Sequence, residues 1–132
     1  VVLSHAHIDH SGNLPNLVKQ GFSGPIYATP ATVALAEVML RDSGHIQESD
    51  AEYVNKKHRR RGDPPVEPLY TLEDAVIAAE QFKPIEYDRP TEILPGVTLT
   101  LDSGLGAGTR VTLALPPRAL EDLPVTPTTA AA

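Results

Sequence analysis

Val1-Val2-Leu3-Ser4-His5-Ala6-His7-Ile8-Asp9-His10 opens the chain: three apolar residues, then three histidines and an aspartate within six positions. Imidazole nitrogen and carboxylate oxygen together suit zinc, manganese or iron, whereas calcium and magnesium require an all-oxygen shell. Cysteine is absent, which excludes thiolate sites and disulfides. On a helix, residues two apart stand about 200° from each other, so His5 and His7 would not reach one ion. On an extended backbone His5, His7 and Asp9 share a face. There His5 and His7 can chelate a first ion while a turn swings Asp9 and His10 toward a second. The spacing predicts a strand end running into a loop.

Histidines also gather on ordinary surfaces, so chance has to be weighed. With this chain's own residue frequencies the pattern would arise in roughly 4 of 10,000 sequences, and an inherited metal motif is the better explanation.

The run resembles the signature of the metallo-β-lactamase superfamily, His-x-His-x-Asp-His behind a short apolar strand. Ser11-Gly12-Asn13-Leu14-Pro15 and Gly24-Pro25-Ile26-Tyr27-Ala28-Thr29-Pro30-Ala31-Thr32 are similar to its β-CASP branch of RNA-processing nucleases. Thr71-Leu72-Glu73-Asp74 and Ile93-Leu94-Pro95-Gly96-Val97-Thr98-Leu99 continue the likeness, which covers residues 1–115 and is strongest over 1–32. The resemblance implies a fold of the α/β (α+β) class, a partial metallo-β-lactamase αβ/βα sandwich lacking its N-terminal strands. It implies two zinc ions, with manganese as the other candidate. His5 and His7 would hold the first ion, Asp9 and His10 the second, and the catalytic pair would be Asp9 and His10, Asp9 also orienting the attacking water.

Two departures stand beside the match. The family's strands that precede the motif have no counterpart here. Where the family has Asp-Ala-Gly-His-Ile-Leu-Gly-Ser, this chain reads Asp102-Ser103-Gly104-Leu105-Gly106-Ala107-Gly108, without the histidine that completes the first ligand set. The sequence therefore reads as a piece of a larger nuclease, and its missing portions count among the expected partners.

The net charge of −6 argues by itself against a nucleic-acid partner, but its distribution does not. Lys56, Lys57, Arg59, Arg60 and Arg61 concentrate five of the eleven basic residues in one run. Such runs are usually solvated helix ends; the alternative is contact with single-stranded RNA. No apolar stretch approaches a membrane span, so no membrane partner is expected. The lack of cysteine is compatible with a cytoplasmic setting.

Along the chain, Val1–Ser4 reads as a buried strand and Gly12–Gln20 as a helix capped by Ser11 with Gly21 as its stop. Pro25–Ala28 is a short strand. A helix from Thr29-Pro30 to Ser43 is apolar over most of its circumference and needs cover on more than one side, so exposed apolar surface and homodimerisation are expected. Met39 reads as packing. His45, beside Gly44, reads as a capping cation at the helix end. A second, polar helix spans Gln47–Arg60, with Glu48, Asp50 and Glu52 at its start and His58 solvated in the basic run; Gly62-Asp63-Pro64-Pro65 breaks it. Thr71 and Asp74 form a variant capping box opening a helix to Gln81. Ile85–Tyr87, Thr91–Leu94, Val97–Leu101 and Arg110–Leu115 read as a small antiparallel meander, in which Asp102 has no evident partner. The proline-rich stretch 116–132 reads as a disordered tail.

The functional expectation is metal-dependent hydrolysis of RNA phosphodiester bonds, with little activity in the isolated chain, because two ions need about six protein ligands and the motif has four. The alternatives are a non-catalytic remnant or partner-binding module in RNA processing, and a small-molecule hydrolase of the same fold.

Overall fold

The computed structural model describes residues 1–116. The tail expected over 116–132 lies, apart from Pro116, outside the described residues. The chain divides into two compact units, Val1–Ile85 and a second beginning at Glu86. It mixes helices with a parallel strand pair and an antiparallel sheet, in agreement with an α+β class.

In the first unit, β1 (Ile26–Ala28) and β2 (Phe82–Pro84) run parallel, with Ile26 opposite Phe82. The opening segment lies along the other edge of β1: Leu3 N–H donates to Tyr27 O at 2.8 Å and Tyr27 N–H to Val1 O at 2.9 Å. Contrary to the buried strand expected over Val1–Ser4, only Leu3 is buried there, and the pairing is a single parallel bridge from Val2 to Tyr27.

Two brief helices follow the motif, α1 (Ile8–Ser11) and α2 (Leu14–Lys19), instead of one helix over Gly12–Gln20. Ser11 does not cap the second. Its hydroxyl is buried and donates to Ala6 O at 2.9 Å and His7 O at 3.1 Å, so it closes the first turn; Asn13 precedes α2.

Pro30–Arg61 forms one continuous helix, α3, with Thr29 accepting from Thr32 N–H and left-handed Gly62 as its stop. The break expected at Gly44 does not occur. A Cβ at Gly44 would lie 2.8–2.9 Å from backbone atoms of Thr71 and Leu72, so this glycine marks where α3 meets the start of α4 (Leu72–Ala79), not a helix end. His45 is consequently an exposed mid-helix residue, and Glu48, Asp50 and Glu52 also fall within α3. Glu48 accepts from Leu72 N–H at 3.3 Å. The expectation that α3 needs more than one covered side has a specific outcome: Ala36, Leu40 and Gly44 are buried, whereas Leu35, Val38 and Ile46 remain half or more exposed. Met39 packs against the core. Tyr70 is fully buried in the same core and donates its hydroxyl to Ser43 Oγ at 2.8 Å.

The capping box at α4 is present as read: Thr71 Oγ1 accepts from Asp74 N–H at 3.1 Å, and Asp74 accepts from Thr71 N–H at 2.9 Å. That backbone donor, opposed by desolvation and aided by the Thr71 hydroxyl and Lys19, holds the Asp74 carboxyl below its ordinary value. A carboxylate with a depressed folded-state pKa stabilises above its unfolded value, near 3.9, and loses that contribution as pH falls through the folded one. Thr71→Ala is expected to cost about 1 kcal/mol at pH 7, measured by urea unfolding. The Asp74 share of the cap should fade below about pH 4, and Asp74→Asn should flatten that part of the stability profile.

The second unit is a meander of β3 (Thr91–Leu94), β4 (Val97–Gly104) and β5 (Gly108–Ala114) in the order β3-β4-β5, all antiparallel. Val97, Leu99 and Leu101 alternate to its buried face, as the period of two requires. Ile85–Tyr87 is not a strand of it; the strand in that region is β2, three residues earlier and parallel to β1. Asp102 lines, with Asp88, Ser103 and Arg110, an open cleft of about 420 Å³ in this unit.

Candidate metal centre

The motif follows Val1–Leu3, which is tied to the edge of β1 by the single parallel bridge from Val2 to Tyr27. Leu3 and Ala6 are buried and anchor the segment, leaving the polar residues between and after them at the surface. Backbone stays extended to His7, at φ −55° and ψ 144°, and then winds into α1. The alternation that would place Asp9 on the His5 and His7 face therefore stops at Ile8. Asp9 and His10 instead come round on a helical turn, held by His10 N–H and Ser11 N–H, both donating to His7 O at 2.9 Å. Gly12 ends that turn where a Cβ would lie 2.4 Å from Ile8 O.

One ligand atom each from His5, Asp9 and His10 lies within 4.8 Å of the others. The His5 and His10 rings are 4.1 Å apart between centroids, and His10 Nε2 lies 3.6 Å from Asp9 Oδ2. His7 stacks edge-on against His5 at 4.7 Å but is not one of the three converging donors. The partition expected from the sequence was His5 with His7 and Asp9 with His10; the observed grouping draws His5 toward the other pair. Ligands that share a tetrahedral zinc-class ion, each about 2.0–2.2 Å from it, lie about 3.3–3.6 Å apart. The donors of His5, Asp9 and His10, spread over up to 4.8 Å, stand wider than that, so side-chain rotations that move donor atoms by about an ångström are needed to close them on one ion; their donor chemistry suits it.

Ser4 is the residue that sequence reading passed over. Its Oγ lies 3.0 Å from His5 Nδ1 and 3.5 Å from His10 Nδ1, so one hydroxyl spans both rings and leaves Nε2 of His5 as its other donor. Strict alternation would have turned Ser4 away from His5. A serine directly before the first histidine was the available signal.

The other basic and histidine candidates stand apart from this cluster in the fold. Lys56, Lys57, Arg59, Arg60 and Arg61 are exposed on the last turns of α3, with Lys56 paired to Glu52 at 3.2 Å. His58 is not free in solvent: its Nδ1 is 2.6 Å from Pro64 O, part of the return of the chain along α3.

No protein-family profile matches the chain. It is similar to ribonuclease TTHA0252 of Thermus thermophilus, at 37% identity over 87 residues, 66% of this chain and 16% of that protein. It is also similar to the transcription termination factor FttA of Thermococcus kodakarensis, 33% identical over 102 residues, and of Methanocaldococcus jannaschii, 31% over 101; each match takes in 76% of this chain and 14% of the relative. The chain thus spans about one-sixth or less of the length of these curated relatives. Among the described residues, no helix is long and apolar enough to cross a membrane.

Proposed function

We propose that the chain carries part of the metal centre of an RNA-processing nuclease of the β-CASP branch of the metallo-β-lactamase superfamily, acting on RNA phosphodiester bonds. The observation that carries this reading is the convergence of His5, Asp9 and His10, with His7 alongside, at the end of an apolar strand segment. Similarity to a protein named a ribonuclease supports the substrate class. His5, His7, Asp9 and His10 would hold zinc, or manganese in its place. Bound there, such ions supply Lewis acidity toward a phosphoryl oxygen and acidify water at neutral pH. Asp9, exposed and within 3.6 Å of His10, accepts a hydrogen bond from the attacking water and orients it in line with the scissile bond. Ser4 keeps the His5 and His10 rings in register for this arrangement.

Four donors fall short of the roughly six that two catalytic ions need, so weak metal binding and little turnover are expected of this chain alone. Assays of the zinc-loaded chain on single-stranded RNA, a β-lactam and a thioester test the reading. Slow, chelator-sensitive cleavage confined to RNA and lost in Asp9→Asn is the expected pattern; faster hydrolysis of either small molecule contradicts it. Tight two-site zinc binding in a calorimetric titration would overturn the expected weakness.

A further inference from the structure

The segment after Gly62 folds back along one side of α3 and half-covers Asn55 and His58 there, while Arg59 on the same side stays exposed. Asn55 grips Val66 from both directions, its Nδ2 donating to Val66 O and its Oδ1 accepting from Val66 N–H, each at 2.8 Å. His58 meets Pro64 O, and Arg59 lines the groove between α3 and this segment with Asn55 and Val66. At about 100° per residue, Asn55, His58 and Arg59 occupy one side of the helix, while Tyr53, Lys56, Lys57 and Arg60 fall within an arc of about 100° on the opposite side. All four of the latter are exposed, Tyr53 by 60% even with Lys57 Nζ lying 4.3 Å from its ring centroid.

We propose that this stripe of Tyr53, Lys56, Lys57 and Arg60 is a docking platform for single-stranded RNA, its cations on successive phosphates and the Tyr53 ring under a base. The inference rests on the reading above that RNA is the substrate. An aromatic ring interleaved with cations on a rigid, exposed surface is what unpaired nucleic acid binds: stacking is available from every base and the backbone needs only positive charge. Tyr53 is not among the residues packed on the core of the first unit, so its ring is available at the surface. The acidic body of the chain does not prevent this, since charges beyond about 8–10 Å are screened at physiological salt. Glu52, paired to Lys56, and Asp50 at the N-terminal edge of the stripe set its limit, and confine the platform to the last turns of α3. Counted from Ser43, which flanks Ile8 of the motif's turn, to His58, the helix rises about 22 Å, so a strand reaching both places must span that length.

The test is fluorescence anisotropy of the full chain with a labelled single-stranded RNA of about twelve nucleotides, in chelator, at 50 and 200 mM salt. Three phosphate contacts predict a slope near −2 in log affinity against log salt. The combined Lys56→Glu, Lys57→Glu, Arg60→Glu variant should bind at least ten-fold more weakly. Tyr53→Ala should lose about five-fold or more, while Tyr53→Phe, which keeps the ring, should bind like the parent. Circular dichroism checks that these surface variants remain folded. Equal binding by the parent and the triple variant, equal binding by Tyr53→Ala, or displacement of the RNA by polyglutamate of matched charge would each overturn the proposal, the last by marking a site for an acidic protein. The charge-reversed triple variant should keep the parent's zinc affinity, since none of its residues belongs to the converging trio, so failure of the metal centre and failure of the platform are read separately.

Discussion

Tyr70→Ala is expected to destabilise the first unit by about 3–5 kcal/mol, the largest stability effect of any single substitution considered, measured by urea unfolding. The ring is fully buried where the chain returns from α3 to α4, beside Leu40, Ala75 and Ile26 in the same core. Its removal leaves a cavity that the helical backbone on either side is too constrained to fill, and it strips Ser43 Oγ of its 2.8 Å partner. Because a whole domain of this kind is stabilised by only about 5–15 kcal/mol, much of the population should unfold near physiological temperature. Tyr70→Phe separates the two contributions. It keeps the packing and loses the hydrogen bond, for about 1 kcal/mol.

His5→Ala is expected to lower zinc affinity by at least 100-fold, read by competition with a chromophoric chelator. Partners that merely orient a ligand carry about 10–100-fold, and a ligand itself carries more. His5 holds the central place: it faces His7 at 4.7 Å and His10 at 4.1 Å between ring centroids, and Ser4 fixes its Nδ1 side. His7→Ala, outside the converging trio, should weaken binding by less. Equal losses from the two substitutions would restore the partition that alternation suggested, with His5 and His7 sharing one ion. Ser4→Ala belongs to the same series and should fall in the 10–100-fold range.

The sequence disclosed the donors more readily than their grouping. Three imidazoles and a carboxylate in six residues announce metal chemistry by composition, but which donors meet depends on where extended backbone yields to helix. That boundary at His7 is held by Ser11, whose hydroxyl folds back onto Ala6 O and His7 O, a short-range contact that a single serine after the ligand run does not announce. The capping box at Thr71 and Asp74 was legible because its whole logic lies within four residues. The three-stranded meander was legible because alternation and glycine turns are local too. Gly44 misled for the converse reason. A glycine after an apolar run signals a helix stop, and here it serves a close approach of another segment's backbone, a tertiary fact with no local mark. Tyr53 was overlooked in the polar half of α3 for the same reason, since its significance depends on which helix side the segment after Gly62 covers.

The most direct test of the metal centre is a cobalt(II) titration of the chain followed by visible absorption, with His5→Ala, Asp9→Ala and His10→Ala alongside the parent. Saturable d–d bands of a nitrogen and oxygen ligand set in the parent, weakened in each variant, are the predicted result. Absence of such bands in the parent, or their persistence unchanged when all three residues are alanine, would contradict the assignment of His5, Asp9 and His10 as its ligands.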